Sequence, residues 1–315
     1  MAAAVTRLHR ERVLSAEQAA LFSRVARREL LSVGAELRAL LYGGVLVAMA
    51  GVGLLAEQNF ERIGPLAIAG GLAAAAAGCL IWTARHASPF SWREAPSTHF
   101  AFEYLLLLGV LLVGADLAYV EATFTPLGDA WPWHLFLVSV LAAALAVRYD
   151  SAIVFSLALS TFAAWRGVSV ALLERSVWSG IDTASSLRVN AIGCGSVFLL
   201  LAAALVRLDR KAHFEPVATH AGWILVLGAL ASGLGRAPVL FGLLLLVAGG
   251  GVAALAYRGA RFSLFALGVV GAYAATSALF LQARPPFEIA SLWFAATSLA
   301  VLGALLVAHR RLRLE

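Results

Sequence analysis

Ten apolar runs dominate this chain, at 40–56, 64–84, 100–120, 132–147, 151–172, 188–206, 217–235, 237–257, 260–282 and 288–308. A helix needs about 20 mostly apolar residues to cross the roughly 30 Å of hydrocarbon in a bilayer, and a span must satisfy every backbone N–H and C=O internally. Runs of this length therefore predict spanning helices. Composition agrees: 61% of the residues are hydrophobic and 13% charged, and the mean hydropathy is +0.86. That is more apolar surface than a soluble core of this length can bury, so lipid is the solvent. The expected fold is all-α, a polytopic membrane helix bundle of about ten transmembrane helices with a short cytoplasmic N-terminal helical element. The expected division is an amphipathic segment over 1–38 and a transmembrane domain over 39–315. The short fourth run and the fifth, which contains Arg166, are the least secure spans.

Basic residues test this count independently, because hydropathy ignores them. With the N-terminus inside, the inside segments hold the seven arginines before the first span, Arg85, Arg93, Arg148, Arg207, Arg210, Lys211, Arg258, Arg261 and the three arginines at the C-terminus, eighteen of 24 basic residues in all. The bias predicts ten spans with both termini in the cytoplasm, in an inner (cytoplasmic) membrane. The net charge of +6 then reports topology, and the expected partner is the lipid bilayer with no nucleic acid. MAAAVTRLHRERVLSAEQ shows charges with no apolar run or small-residue cleavage site behind them, so no removable signal peptide is expected. Cys79 and Cys194 each sit inside an apolar run without a Cys or His at metal-ligand spacing. Their expected depths are too different for a disulfide.

Before the first span, VLSAEQAALFSRVARREL carries a Ser-x-x-Gln capping box, Ser15 and Gln18, that predicts a helix from about Ala16. Its arginines alternate with glutamates, which favours a docked helical hairpin over a cationic helix lying on anionic lipid. The stretch AEQNFERIG, between spans one and two, reads first as a solvated outer turn. A sharper reading makes it a packed cap, with Glu57 and Glu61 sharing one helix face, neutralised by Arg62 or Arg166, and Asn59 bonding main-chain groups at the helix end.

These same residues carry a resemblance. VLSAEQAALF, a first span closing on Ala56, Asn59 and Phe60, and the return at Gly64-Pro65 resemble the bacterial membrane proteins known as Domain of Unknown Function 2157, with Phe60 where tryptophan is usual. The resemblance covers residues 10–85, with a weaker echo in RKAHFEP, Arg210–Pro216. It implies an integral membrane protein without an assigned activity.

Spacing argues against several chemistries. Gly193-Cys-Gly-Ser196 and His220 superficially suit an intramembrane serine protease. At 1.5 Å per residue, however, their depths differ by more than about 10 Å. Haem would need paired histidines at one depth inside the bundle. Instead His86, His99, His213, His220 and His309 fall at the cytoplasmic helix ends. No phosphate loop, metal motif or cysteine cluster is present, so neither an enzyme activity nor a cofactor is expected. Glycine and alanine faces, Gly70/Ala74/Gly78 and Gly268/Gly271/Ala275, predict close helix packing.

The ionisable residues inside runs carry the sharper signal, since each costs a few kcal/mol at the bilayer centre unless paired or wetted. Glu103 falls about one turn from the cytoplasmic face. Asp116 and Arg166 lie at similar depth, roughly 24 and 22 Å from that face, and could pair. Such a pair reads as a structural ion pair or two outer-interface ends on one side, and as a polar pathway on the other. The scarcity of charge at mid-membrane argues against ion-coupled transport. The resulting expectation is permease-like handling of an apolar or lipid-like solute; the alternative is a non-transporting structural or sensory membrane protein.

Overall fold

The structure is a computed structural model that describes residues 15, 18, 34–58, 64–94, 101–124, 126–177 and 183–312. Its regular elements are helices: α1 Gly34–Gln58, α2 Pro65–His86, α3 Phe102–Thr123, α4 Trp133–Tyr149, α5 Ala152–Val177, α6 Thr183–Arg207, α7 Glu215–Ser232, α8 Pro238–Arg258, α9 Phe262–Gln282 and α10 Phe287–Leu312. Each of the ten apolar runs has become one of these helices. Seven of them, α2, α3 and α6 to α10, are long and apolar enough to cross a membrane over their whole apolar length; the apolar parts of α1, α4 and α5 are shorter.

The chain divides into two units, Met1–Gly64 and Pro65–Glu315. In the first, Ser15 Oγ accepts from the Gln18 N–H at 3.2 Å and Gln18 Oε1 accepts from the Ser15 N–H at 3.0 Å. This is the reciprocal capping box read from the sequence. Helix α1 is the other described element of that unit. The rest of the N-terminal segment, and the question of whether it forms a hairpin, lies outside the described residues.

The second unit is built from helical hairpins. The best-packed pairs are α2 with α3, α4 with α5, α6 with α7, and α8 with α9, and α10 adds to α9. In lipid there is no hydrophobic gain from bringing two apolar helices together, so close backbone approach and interhelical hydrogen bonds must hold the pairs. Both are present. A Cβ on Gly268 would lie 2.5 Å from the Ala253 nitrogen, and one on Gly249 would lie 2.8 Å from the Gly268 carbonyl oxygen. Gly195 and Gly222 bring α6 and α7 equally close, each Cβ falling 2.7–2.8 Å from the other's carbonyl oxygen. Ser139 on α4 donates to the Ala158 carbonyl on α5 at 3.0 Å. On α9, Tyr273 Oη lies 2.9 Å from Ser298 Oγ of α10.

The small-residue faces behave differently from one another. Gly268, Gly271 and Ala275 face α8 and the core around Leu227 and Leu245, as expected. Gly70, Ala74 and Gly78 are exposed, and nothing lies within 4 Å of a Cβ placed on either glycine. Helix α2 buries Ile68, Leu72, Ala76 and Thr83 instead. That stripe is half a turn away, and its larger side chains fill more of the space between α2 and α3 than three small residues could.

Exposed apolar area confirms the solvent. Phe287 is 82% exposed, Val247 74% and Leu292 72%, which hydrocarbon accommodates and water does not. Rings mark one interface. Trp133, Phe136, Phe162 and Trp165 cluster with centroids 4.7–5.7 Å apart where α4 begins, the pattern of an aromatic belt at headgroup level.

Candidate functional site

All four hairpin turns lie at the opposite end, where α2, α4, α6 and α8 end and α3, α5, α7 and α9 begin. The inside basic residues of unit two collect there, so we refer to it as the arginine-rich end. Two polar clusters organise it.

In the first cluster, α4 stops at Asp150, whose backbone turns left-handed at φ 64°, and Ser151 starts α5 by accepting from the Val154 N–H. Lys211, also left-handed at φ 51°, closes the α6–α7 connection. Its Nζ donates to Asp150 Oδ1 at 2.8 Å, and the two side chains are 3% and 5% exposed. His213 Nε2 lies 2.8 Å from the same oxygen, out of line for a good hydrogen bond. The Lys211 N–H donates to the Trp92 carbonyl at 2.8 Å, and its ammonium sits 5.1 Å from the centre of the Phe90 ring. Arg210 covers Trp92 at 4.7 Å. Below, Phe214 stacks on Phe155 at 4.6 Å. A buried ion pair of this kind gains its attraction in low dielectric but must offset the desolvation of both charges. Its clear effect is geometric: three connections that are far apart in sequence, 87–94, 149–151 and 208–214, are fixed to one another.

The second cluster begins four residues later. Glu215 opens α7, receives Thr219 Oγ1 at 2.8 Å and pairs with Arg261 at the start of α9, at 2.5 Å. One turn on, His220 Nδ1 lies 2.6 Å from the Pro216 carbonyl and Nε2 2.7 Å from Ser263 Oγ. Because the carbonyl can only accept, Nδ1 carries a proton; in the neutral ring the Ser263 hydroxyl then donates to Nε2. His309 of α10 packs edge-on against Phe262, with centroids 4.5 Å apart, so α10 also ends here.

Next to His220 opens a groove of about 640 Å³. Ser156, Leu159, Ser160 and Ala163 of α5 form one wall, and Pro216, Val217, His220, Ala221, Ile224 and Leu225 of α7 form the other, with Phe198 of α6 between them. The serine hydroxyls bond their own helix, Ser156 to Ile153 and Ser160 to Leu157, so they present little polarity to a ligand. A smaller cavity of about 300 Å³ lies between α3, α4 and α5, where Glu121, His134 and Trp131 meet.

The residues singled out in the sequence are not gathered into this site. Asp116 lies in the second half of α3, and among the described residues its buried Oδ1 has no hydrogen-bond partner; one turn on, the hydroxyl of Tyr119 is in the same condition. Among the described residues no ion pair joins Asp116 to Arg166. Arg166 instead sits 5.7 Å from the centre of the Trp165 ring, inside the aromatic belt. A guanidinium at that level reaches headgroups directly, which removes its need for a carboxylate. Glu103 is in the first turn of α3, where a carboxylate complements the helix dipole. Glu57 is in the last turn of α1; its side chain, with Asn59, Phe60, Glu61 and Arg62, lies outside the described residues, and so does the packed cap built from them. Ser196 donates to the Ile192 carbonyl at 2.8 Å, while His220 is turned to Ser263. Cys79 and Cys194 are free thiols. Among the described residues no three His, Cys, Asp or Glu side chains group as metal ligands.

Asp150 lies outside the residues that the sequence points to, where Lys211 and Arg261 read only as topology charges. One signal was available: Arg148-Tyr149-Asp150 is the whole link between two apolar runs, and an acid in so short a link has little water of its own.

The fold and its exposed apolar surface define a multi-pass integral membrane protein. Residues 6–155 match the model of the family described as predicted membrane protein, Domain of Unknown Function 2157. The resemblance carried by residues 10–85 thus extends through α4 to the beginning of α5. No curated protein and no solved structure matches the chain. Every residue lining the larger groove follows residue 155, so the groove lies beyond the stretch matched.

Proposed function

We propose that this protein binds an apolar, lipid-like molecule in the groove between α5 and α7 and handles it in a permease-like way, without a catalytic step. The arginine-rich end faces the cytoplasm of a bacterial inner membrane in this reading, on the weight of the positive-inside bias. One observation carries the proposal. The groove has the volume of a small-molecule site, its walls are mostly apolar with both serine hydroxyls turned to their own helix, and its one ionisable lining residue, His220, lies toward the arginine-rich end. An ion or sugar path would need polar groups to continue toward the other face. The two sequence candidates for such a path, Asp116 and Arg166, are not joined among the described residues.

The test uses a diazirine-bearing palmitic acid in liposomes holding the protein. Mapped adducts should concentrate on α5 and α7, and Ala163→Trp or Ala221→Trp, which fill the groove, should remove them. Labelling spread as densely over the lipid face of α10 would make the groove ordinary annular surface. The structural or sensory alternative would then stand.

A further inference from the structure

The groove has a length and a polar end, and together they specify its occupant more closely. Along α7 its lining runs from Pro216 to Leu225, which at 1.5 Å per residue is about 14 Å. One leaflet of a bilayer contributes about 15 Å of hydrocarbon. The groove is therefore as long as a single leaflet is thick, and exposed Ser156, Ser160 and Ile224 leave it open at its side.

At headgroup level the chemistry suits an anion. Arg261 is half exposed, with 48% of its side chain accessible. It stands at the N-terminus of α9, a 21-residue helix whose first N–H groups have no intrahelical partner and carry the positive end of the dipole. Glu215, the residue before the groove's first α7 residue, already places a carboxylate on Arg261. His220 joins the two regions, since it lines the groove and bonds Ser263, two residues after Arg261. An apolar channel one leaflet long, with a cation paired to the residue just before its first α7 position, matches a lipid with an anionic headgroup.

We infer that the occupant is a phospholipid drawn sideways from the leaflet at the arginine-rich end, with an acyl chain between α5 and α7 and its phosphate at Arg261 and the first N–H groups of α9. The Glu215 carboxylate competes with the phosphate for Arg261. This rests on the groove being a lipid site, and the experiment separates the two ideas.

Two probes with the same diazirine-bearing acyl chain are compared in liposomes of neutral lipid: a phosphatidylglycerol and a diacylglycerol lacking the phosphate. Groove adducts on α5 and α7 are counted for the native chain, Arg261→Gln and Glu215→Gln. The native chain should take the phosphatidylglycerol in preference. Arg261→Gln should lower that labelling about tenfold, the effect of one charge-assisted bond, and leave diacylglycerol labelling unchanged. Glu215→Gln should raise phosphatidylglycerol labelling by freeing Arg261. If Arg261 and Glu215 only hold α7 to α9, both variants will weaken labelling by both probes, and the inference is overturned. Equal labelling of the native chain by the two probes also overturns it while leaving an acyl site intact. Absence of groove adducts with either probe removes the underlying reading as well.

Discussion

Asp150 and Lys211 concentrate the most consequence in the fewest atoms. Both occupy left-handed backbone at a cost of about 1 kcal/mol each, and their side chains are almost fully withdrawn from solvent. Such strain persists only where surroundings impose it; here Trp92, Phe90 and His213 do so. Asn tolerates left-handed backbone, so Asp150→Asn removes the charge while keeping the turn. It leaves the Lys211 ammonium buried without its anion, which should destabilise the protein by about 3 kcal/mol. Replacing both, Asp150→Asn with Lys211→Met, should recover much of that loss, because neither charge then remains to be desolvated. Thermal unfolding in detergent measures the cycle. Additive losses in the double variant would mean the pair is not coupled.

Among the elements, the hairpins depend on which small residues actually meet a neighbour. Gly268→Ala puts a methyl 2.5 Å from the α8 backbone, which no side-chain rotation can relieve, and should cost about 1–3 kcal/mol as α8 and α9 are forced apart. Gly70→Ala meets nothing and should be neutral, or stabilise by up to about 1 kcal/mol through helix propensity. Unfolding midpoints of the two variants should therefore move apart, and equal shifts would contradict the assigned faces of α2 and α9. Helix α10 shows the opposite economy. None of its most apolar window is buried, and it is tied to α9 by Tyr273 with Ser298, by Trp293 stacked on Phe280 at 4.4 Å, and by His309 on Phe262.

For the whole molecule, the clusters make a topological statement. The contacts of Lys211 with Trp92 and Asp150, and of Glu215 with Arg261, require the connections after α2, α4, α6 and α8 to share one end of unit two. Reporter fusions after Arg93, Arg210 and Arg258 should all report one compartment, the cytoplasm by the charge bias, and fusions after Gly128 and Gly235 the other. A split among the first three would break the hairpin arrangement.

The positions of the ten described helices, of the Ser15–Gln18 box and of the connections that hold the basic residues can all be read from the chain alone. Hydropathy and capping are local: transfer into lipid adds up residue by residue, and each span bonds its own backbone. Which face of a helix points inward depends on the assembled bundle. Leucine gains nothing from a protein neighbour that it lacks in lipid, so apolar periodicity cannot separate the buried Ile68–Leu72–Ala76 stripe from the exposed Gly70–Ala74–Gly78 one. The bundle also brings Asp150 to Lys211, 61 residues away, and sets His220 beside a groove. Those partners lie on different hairpins, and contacts between hairpins leave no period in the chain to read.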